Sequence, residues 1–241
     1  MSVEHVFRDQ RRKPALEPLC AAVLEHQRPT KHALCCIFDD VERSEFLKEH
    51  DPNYCGFFCP IAKCGIERWP EDLKPHVSAL EHGILSFTCE LAVYVRKRTC
   101  EHTTATTITF AHEIQHLMQH DFHFKFWRAN FWLPKVTGSD LVNPKAWDLP
   151  SEYDAQLAAK RISQSVLGIP EVERYAKEQI EAENDPEKWE FFLELDVSRE
   201  YDFVCETRRM VDRFKGKLDA LYREYERDDC EPDFTKEIWW E

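Results

Sequence analysis

The chain has 241 residues, 43% of them hydrophobic and 32% charged, with a formal net charge of -13. That length serves one sizeable core or two small ones, and the composition is that of an ordinary soluble globular protein. An acidic chain gains nothing from counterion release on nucleic acid, which disfavours nucleic-acid binding as the main task, and the longest apolar run, the six residues of ALCCIF, is far short of a membrane span.

Residues 14–28 carry apolar side chains at Leu16, Leu19, Ala22 and Val23, which predicts a helix. Residues 32–38 read as a short buried strand, and 39–50 as a helix with acidic residues near its start. Residues 51–75 are rich in Pro, Gly and Cys and are expected to be irregular. Residues 84–98 are β-branched and aromatic and read as one bent strand or two short ones, with a helix over 77–92 as the alternative. EHTT then supplies capping residues for a helix from about Thr104 to His120.

The aromatic stretch FHFKFWRANFWLPKV ends at Pro134, and residues 135–150 read as a connecting loop. It lines a substrate pocket or packs under the helix before it, packing being the commoner outcome. Residues 151–167, SEYDAQLAAKRISQSVL, predict an Ala-rich helix with Ser151 as N-cap. The last third is helical, and Tyr201, Val204, Val211, Phe214, Leu218, Leu221 and Tyr225 form one apolar stripe expected to pack on the rest of the protein. Residues 171–241 hold 23 acidic and 12 basic side chains, a net of -11, against -2 for the first 170. This acidity is expected to be a solvated helical face.

No N-terminal apolar segment of signal-peptide type is present, so a cytoplasmic location is expected. The ten cysteines are then thiols. Cys20, Cys35, Cys36 and Cys89 read as small core residues. Cys55, Cys59 and Cys64, with His50, form a second candidate metal cluster whose spacing matches neither a zinc knuckle nor an iron–sulfur run.

The stretch TFAHEIQHLMQHD holds the chemistry. HEIQH places His112 and His116 four apart, on one face of a helix, where two imidazole nitrogens can converge on one Zn²⁺. Glu113 lies one step round the helix, displaced from the metal but placed to touch a water on it and act as general base. A catalytic zinc also needs a third protein ligand and an open fourth position. The candidates for it are Glu152, in the first turn of the next Ala-rich helix, His120, His123, Asp148 and Asp154. His120, one turn further along, is expected to hydrogen-bond a carboxylate outside the ligand set. Tyr153 and His123 are the candidates for stabilising an oxyanion.

With these residues the chain resembles the gluzincin branch of the zincin metallopeptidases, nearest to the intracellular ImmA/IrrE type. There the second helix reads Glu, any residue, an acidic residue, Ala and then small residues, as Glu152, Tyr153, Asp154, Ala155, Ala158 and Ala159 do here. The likeness covers about residues 85–170. It implies that Glu152 is the third metal ligand and that the strand around Leu91–Arg96 is the sheet edge on which an extended peptide lies.

The expected fold is α+β and zincin-like: a small sheet on the active-site helix, with a largely helical C-terminal part. Residues 1–170 would form the metallohydrolase domain and 171–241 an acidic helical extension packed on it. The expected function is a zinc-dependent endopeptidase with a protein or peptide substrate and no nucleic-acid or membrane partner. His112, His116 and Glu152 bind the metal, and Glu113 is the catalytic base. The alternatives are a regulatory protein on the same scaffold without turnover, or a zinc amidase.

Overall fold

The computed structural model of the chain describes residues 3–7, 13–29, 33–39, 56–60, 91–96, 102–137, 148–183 and 185–225. Among the described residues seven helices occur: α1 (Lys13–His26), α2 (Thr103–Phe122), α3 (Phe124–Thr137), α4 (Pro150–Leu167), α5 (Ile169–Glu181), α6 (Pro186–Glu194) and α7 (Phe203–Tyr225). Expected elements over 40–50, over 51–55 and 61–75, and over 77–90 fall outside the described residues, as do positions 50, 55 and 64 of the second candidate metal cluster; Cys59 lies in the strand Gly56–Pro60.

The α+β expectation is corrected by this body. Residues 13–29, 102–137, 148–183 and 185–225 are together 86% helical and contain no strand. Every described core side chain comes from a helix or from a turn between helices. The expectation rested on β-branched and aromatic runs, but the described apolar surface is buried helix on helix. Four short segments outside this body, β1 (Val3–Phe7), β2 (Ala33–Asp39), β3 (Gly56–Pro60) and β4 (Leu91–Arg96), pair through their backbones in the order β1-β2-β4-β3. β4 runs parallel to β2, with Cys35 opposite Val93, and antiparallel to β3, with Phe58 opposite Val93. Both edges of β4 are therefore hydrogen-bonded, so Leu91–Arg96 is not the free edge on which a peptide could add as a strand.

Two clusters make the described core. In the larger one Leu16, Cys20 and Val23 of α1 meet Ile108, Phe110, Ile114 and Leu117 of α2, Leu157 and Ile162 of α4, Tyr175 of α5, and Trp189 and Phe192 of α6. In the smaller one Ala129, Leu133 and Val136 of α3 bury Val211, Phe214 and Leu218 of α7. The apolar stripe of the last helix thus packs on the protein's own α3. Pro134 lies inside α3, which runs past it to Thr137.

Helix α2 forms despite a poor start. Thr103, Thr104, Thr106 and Thr107 are β-branched. The hydroxyls of Thr106 and Thr107 donate back to the carbonyls of His102 and Thr103, at 3.0 and 2.9 Å. Burial of Ile108, Phe110, Ala111, Ile114 and Leu117 outweighs this weak propensity. Its beginning is also anchored in trans, by Thr104 Oγ1 donating to Glu171 Oε1 at 2.7 Å.

Candidate metal centre

Two helices carry the site, and small residues bring them together. Ala111 of α2 and Ala155 and Ala159 of α4 are fully buried, so the facing surfaces have little side chain to hold them apart. Helix α4 begins with Leu149 as N-cap and Pro150 at its first position, not with Ser151 as cap. Pro lacks the N–H that a cap would satisfy. The next orphan donor, Ser151 N–H, is taken by Asn130 Oδ1 of α3 at 3.2 Å. Asn130 is itself fixed, its amide donating to the Phe126 carbonyl at 2.8 Å and to Thr207 Oγ1 at 3.1 Å. The turn that bears Glu152 is therefore held from α3 and α7.

Three donors meet on this frame. His112 Nε2 and His116 Nε2 lie 3.1 Å apart. His112 Nε2 is 3.4 Å from Glu152 Oε2, and His116 Nε2 is 3.4 Å from Glu152 Oε1. The two imidazole rings stand edge to face, 4.7 Å between centroids and 85° between planes, and both present Nε2 to the shared point. His112, His116 and Glu152 form a group that could hold a metal ion. The site is partly open, with side-chain exposures of 15% and 12% for the histidines and 32% for Glu152.

Charge in the group is coupled. Burial would lower His116, but the charge and hydrogen bond of Glu152, the charge of Glu113 and the bond to Gln119 prevail and raise it to about 9. His112 is lowered, chiefly by burial and against the pull of Glu152, with its protonated neighbour adding to the effect. Burial pushes Glu152 up, yet the two imidazoles outweigh it and hold the carboxyl well below its ordinary range. Glu113 and the bond to Gln119 favour the protonated form of His116 over that of His112. Glu113 is 5% exposed. Burial drives its carboxyl up to about 8, opposed by the charge of His116 and reinforced by that of Glu152.

A polar network behind the donors escaped the sequence reading. His116 Nδ1 is 3.0 Å from Gln119 Oε1. The Gln119 amide donates to the Ser151 carbonyl at 2.9 Å and to Asp154 Oδ2 at 2.8 Å. Gln115 donates to the same Asp154 oxygen at 2.7 Å, and Gln27 of α1 donates to Gln115 Oε1 at 2.9 Å and to the Ala111 carbonyl at 3.1 Å. Asp154, expected as a competing ligand, instead ties α4 to α2. The available signal was spacing: Gln119 follows His116 by three and Gln115 follows His112 by three, so both lie beside the histidines on a largely buried helix.

The other candidates stand apart from the group. His120 packs its ring edge to face on Trp127 and Phe124, at 4.5 and 5.0 Å between centroids. His123 is at the end of α2, near the Phe203 ring. Tyr153 packs against Tyr201 and Phe191, and Asp148 lies just before α4. A cavity of about 340 Å³ opens beside the network, lined by Gln27, Gln115, Asp154, Arg161 and Tyr201, and by none of the three donors. No described helix is long and apolar enough to cross a membrane. Comparison with known proteins adds no relative: no family model, no curated protein and no solved structure matches the chain.

Proposed function

We propose that the chain is a zinc-dependent hydrolase, an endopeptidase acting on a protein or peptide. His112, His116 and Glu152 hold the metal and Glu113 is the general base. One observation carries the reading: three donors from two helices meet at 3.1, 3.4 and 3.4 Å with a buried carboxyl beside them. The two imidazole nitrogens lie 3.1 Å apart and each is 3.4 Å from one oxygen of the same carboxylate, close enough that all three side chains would reach one zinc ion at bonds of ~2.0–2.1 Å. Two neutral imidazoles and one carboxylate are also zinc's usual donors, and three protein ligands leave a fourth position open. The choice of a peptide substrate rests on the donor pattern itself, a HExxH helix with a later glutamate, which is that of gluzincin peptidases.

Bound zinc supplies a Lewis acid that polarises a carbonyl and brings the pKa of a water to about 7. The chain's own residues do the rest. Glu113 accepts the water's proton on its carboxylate as the water attacks. Its buried setting, which favours the protonated form, lets it keep that proton until the leaving amine takes it. Ala111, Ala155 and Ala159 hold the two helices at the separation the donors need.

Replacing Glu113 with Gln tests the reading. Cleavage of a peptide library by the zinc-loaded protein should fall by at least about a thousandfold, since proton transfer and water orientation are both lost, while zinc stays at wild-type stoichiometry. Undiminished cleavage by Glu113→Gln overturns the assignment of the base, and a wild-type protein that holds zinc but cleaves no peptide overturns the peptidase reading.

A further inference from the structure

We propose that Gln119 is a positioning residue for the metal centre: it fixes the proton of His116 on Nδ1, so that the neutral ring presents Nε2 to the metal, and binds that ring to the turn carrying Glu152. The inference rests on the metal reading and goes beyond its ligand set.

The directions of the hydrogen bonds decide the point. An amide nitrogen has two protons to give and its oxygen only accepts. Both protons of Gln119 are committed, to the Ser151 carbonyl at 2.9 Å and to Asp154 Oδ2 at 2.8 Å. The Ser151 carbonyl can only accept, and the Asp154 oxygen already receives the Gln115 amide at 2.7 Å. A flipped Gln119 would set its oxygen against the Ser151 carbonyl. Its oxygen must therefore face His116, and at 3.0 Å an acceptor there requires a proton on Nδ1. The lone pair of the neutral ring is then on Nε2, the atom that meets His112 and Glu152. Gln119 is 1% exposed, so water does not compete for these bonds. Ser151 and Asp154 flank Glu152 in sequence, so one side chain grips a ligand on α2 and the turn bearing a ligand on α4. Outer partners of this kind are worth about 10- to 100-fold in metal affinity when removed.

The test uses the full chain with zinc as the probe. In metal-free wild-type protein labelled with ¹⁵N-histidine, at alkaline pH where the ring is neutral, the nitrogen spectrum should show one tautomer of His116 with its proton on Nδ1. Gln119→Met, close in volume and without the amide, should give mixed tautomers and bind zinc about 10- to 100-fold more weakly in a chelator competition, with unchanged helical content. A wild-type His116 protonated on Nε2 overturns the proposal and needs no variant to fold. A folded Gln119→Met that binds zinc as tightly as wild type overturns it as well. Absence of zinc uptake by a wild-type chain with the fixed tautomer overturns the metal reading instead, which separates the two failures.

Discussion

His116 Nε2 lies 3.4 Å from Glu152 Oε1, although the two residues belong to different helices and 36 positions separate them in the chain. Such an approach places a carboxylate against an imidazole that burial alone would keep neutral, and the pair holds a proton at about 9 on the His116 side. A metal ion must displace that proton to bind.

Zinc binding at pH 7.5 should therefore release protons. His116, raised to about 9, is protonated at this pH and must give up one. His112 is lowered and already neutral, and Glu152 is lowered and already a carboxylate, so neither contributes. Glu113, raised to about 8, gives up a second when the added positive charge favours its ionised form. Between about one and two protons per zinc are expected from calorimetry in buffers of different ionisation enthalpy. The sign follows: affinity rises as pH goes from about 7 to 9 and levels off above. Release of no proton, or an affinity that falls with rising pH over this range, contradicts the assignment.

Asn130 has a consequence for the metal at a distance. It accepts from Ser151 N–H at 3.2 Å and so closes the first turn of α4, where Glu152 sits. Asn130→Ala should cost about 1–2 kcal/mol in urea unfolding, the usual loss of a helix-end acceptor. It should also weaken zinc by several-fold, because the Glu152 turn gains freedom. Lower stability with unaltered zinc affinity would show that Glu152 is placed by something else.

How much of this was legible beforehand differs by residue. His112, Glu113 and His116 could be read from spacing alone because the 3.6-residue period carries side-chain facing within one helix. Glu152 could be read only as a choice among nearby acids and histidines, since sequence does not say which turn of a second helix will face the first. The resemblance to gluzincins, in which a Glu followed by small residues on a second helix completes the metal shell, favoured it. The i+3 spacing places Gln115 and Gln119 beside the histidines, but their partners on α4 and α1, like those of Asn130, lie across helix contacts that no local pattern encodes. The class was misjudged because β-branched runs suggested a sheet as the frame of the site, whereas helices alone supply the described core. Ser151 was misread as a cap because Pro150 before it had not been weighed as the first helical residue.

Lys160 shows how the last helices are held to the site-bearing one. It is 5% exposed, and its ammonium donates to the carbonyls of Leu193 and Leu195, both at 2.7 Å, at the C-terminal end of α6. Burial lowers its pKa, against the charges of Glu173 and Asp196. Lys160→Met should lose about 2–4 kcal/mol, the worth of two charge-assisted bonds and the carbonyls left without them, while zinc stoichiometry stays at its wild-type value. A loss below about 0.5 kcal/mol, the scale of an ordinary surface change, would contradict this role.

The central claim is that His112, His116 and Glu152 together grip one metal ion. Its most direct test is the zinc content of purified wild-type protein beside that of Glu152→Ala, after equilibration with a weak chelator. The account predicts about one equivalent in the wild type, from one three-ligand site, and its loss in the variant while the helical content stays the same. An equal zinc content in both proteins, or none in the wild type, would contradict it.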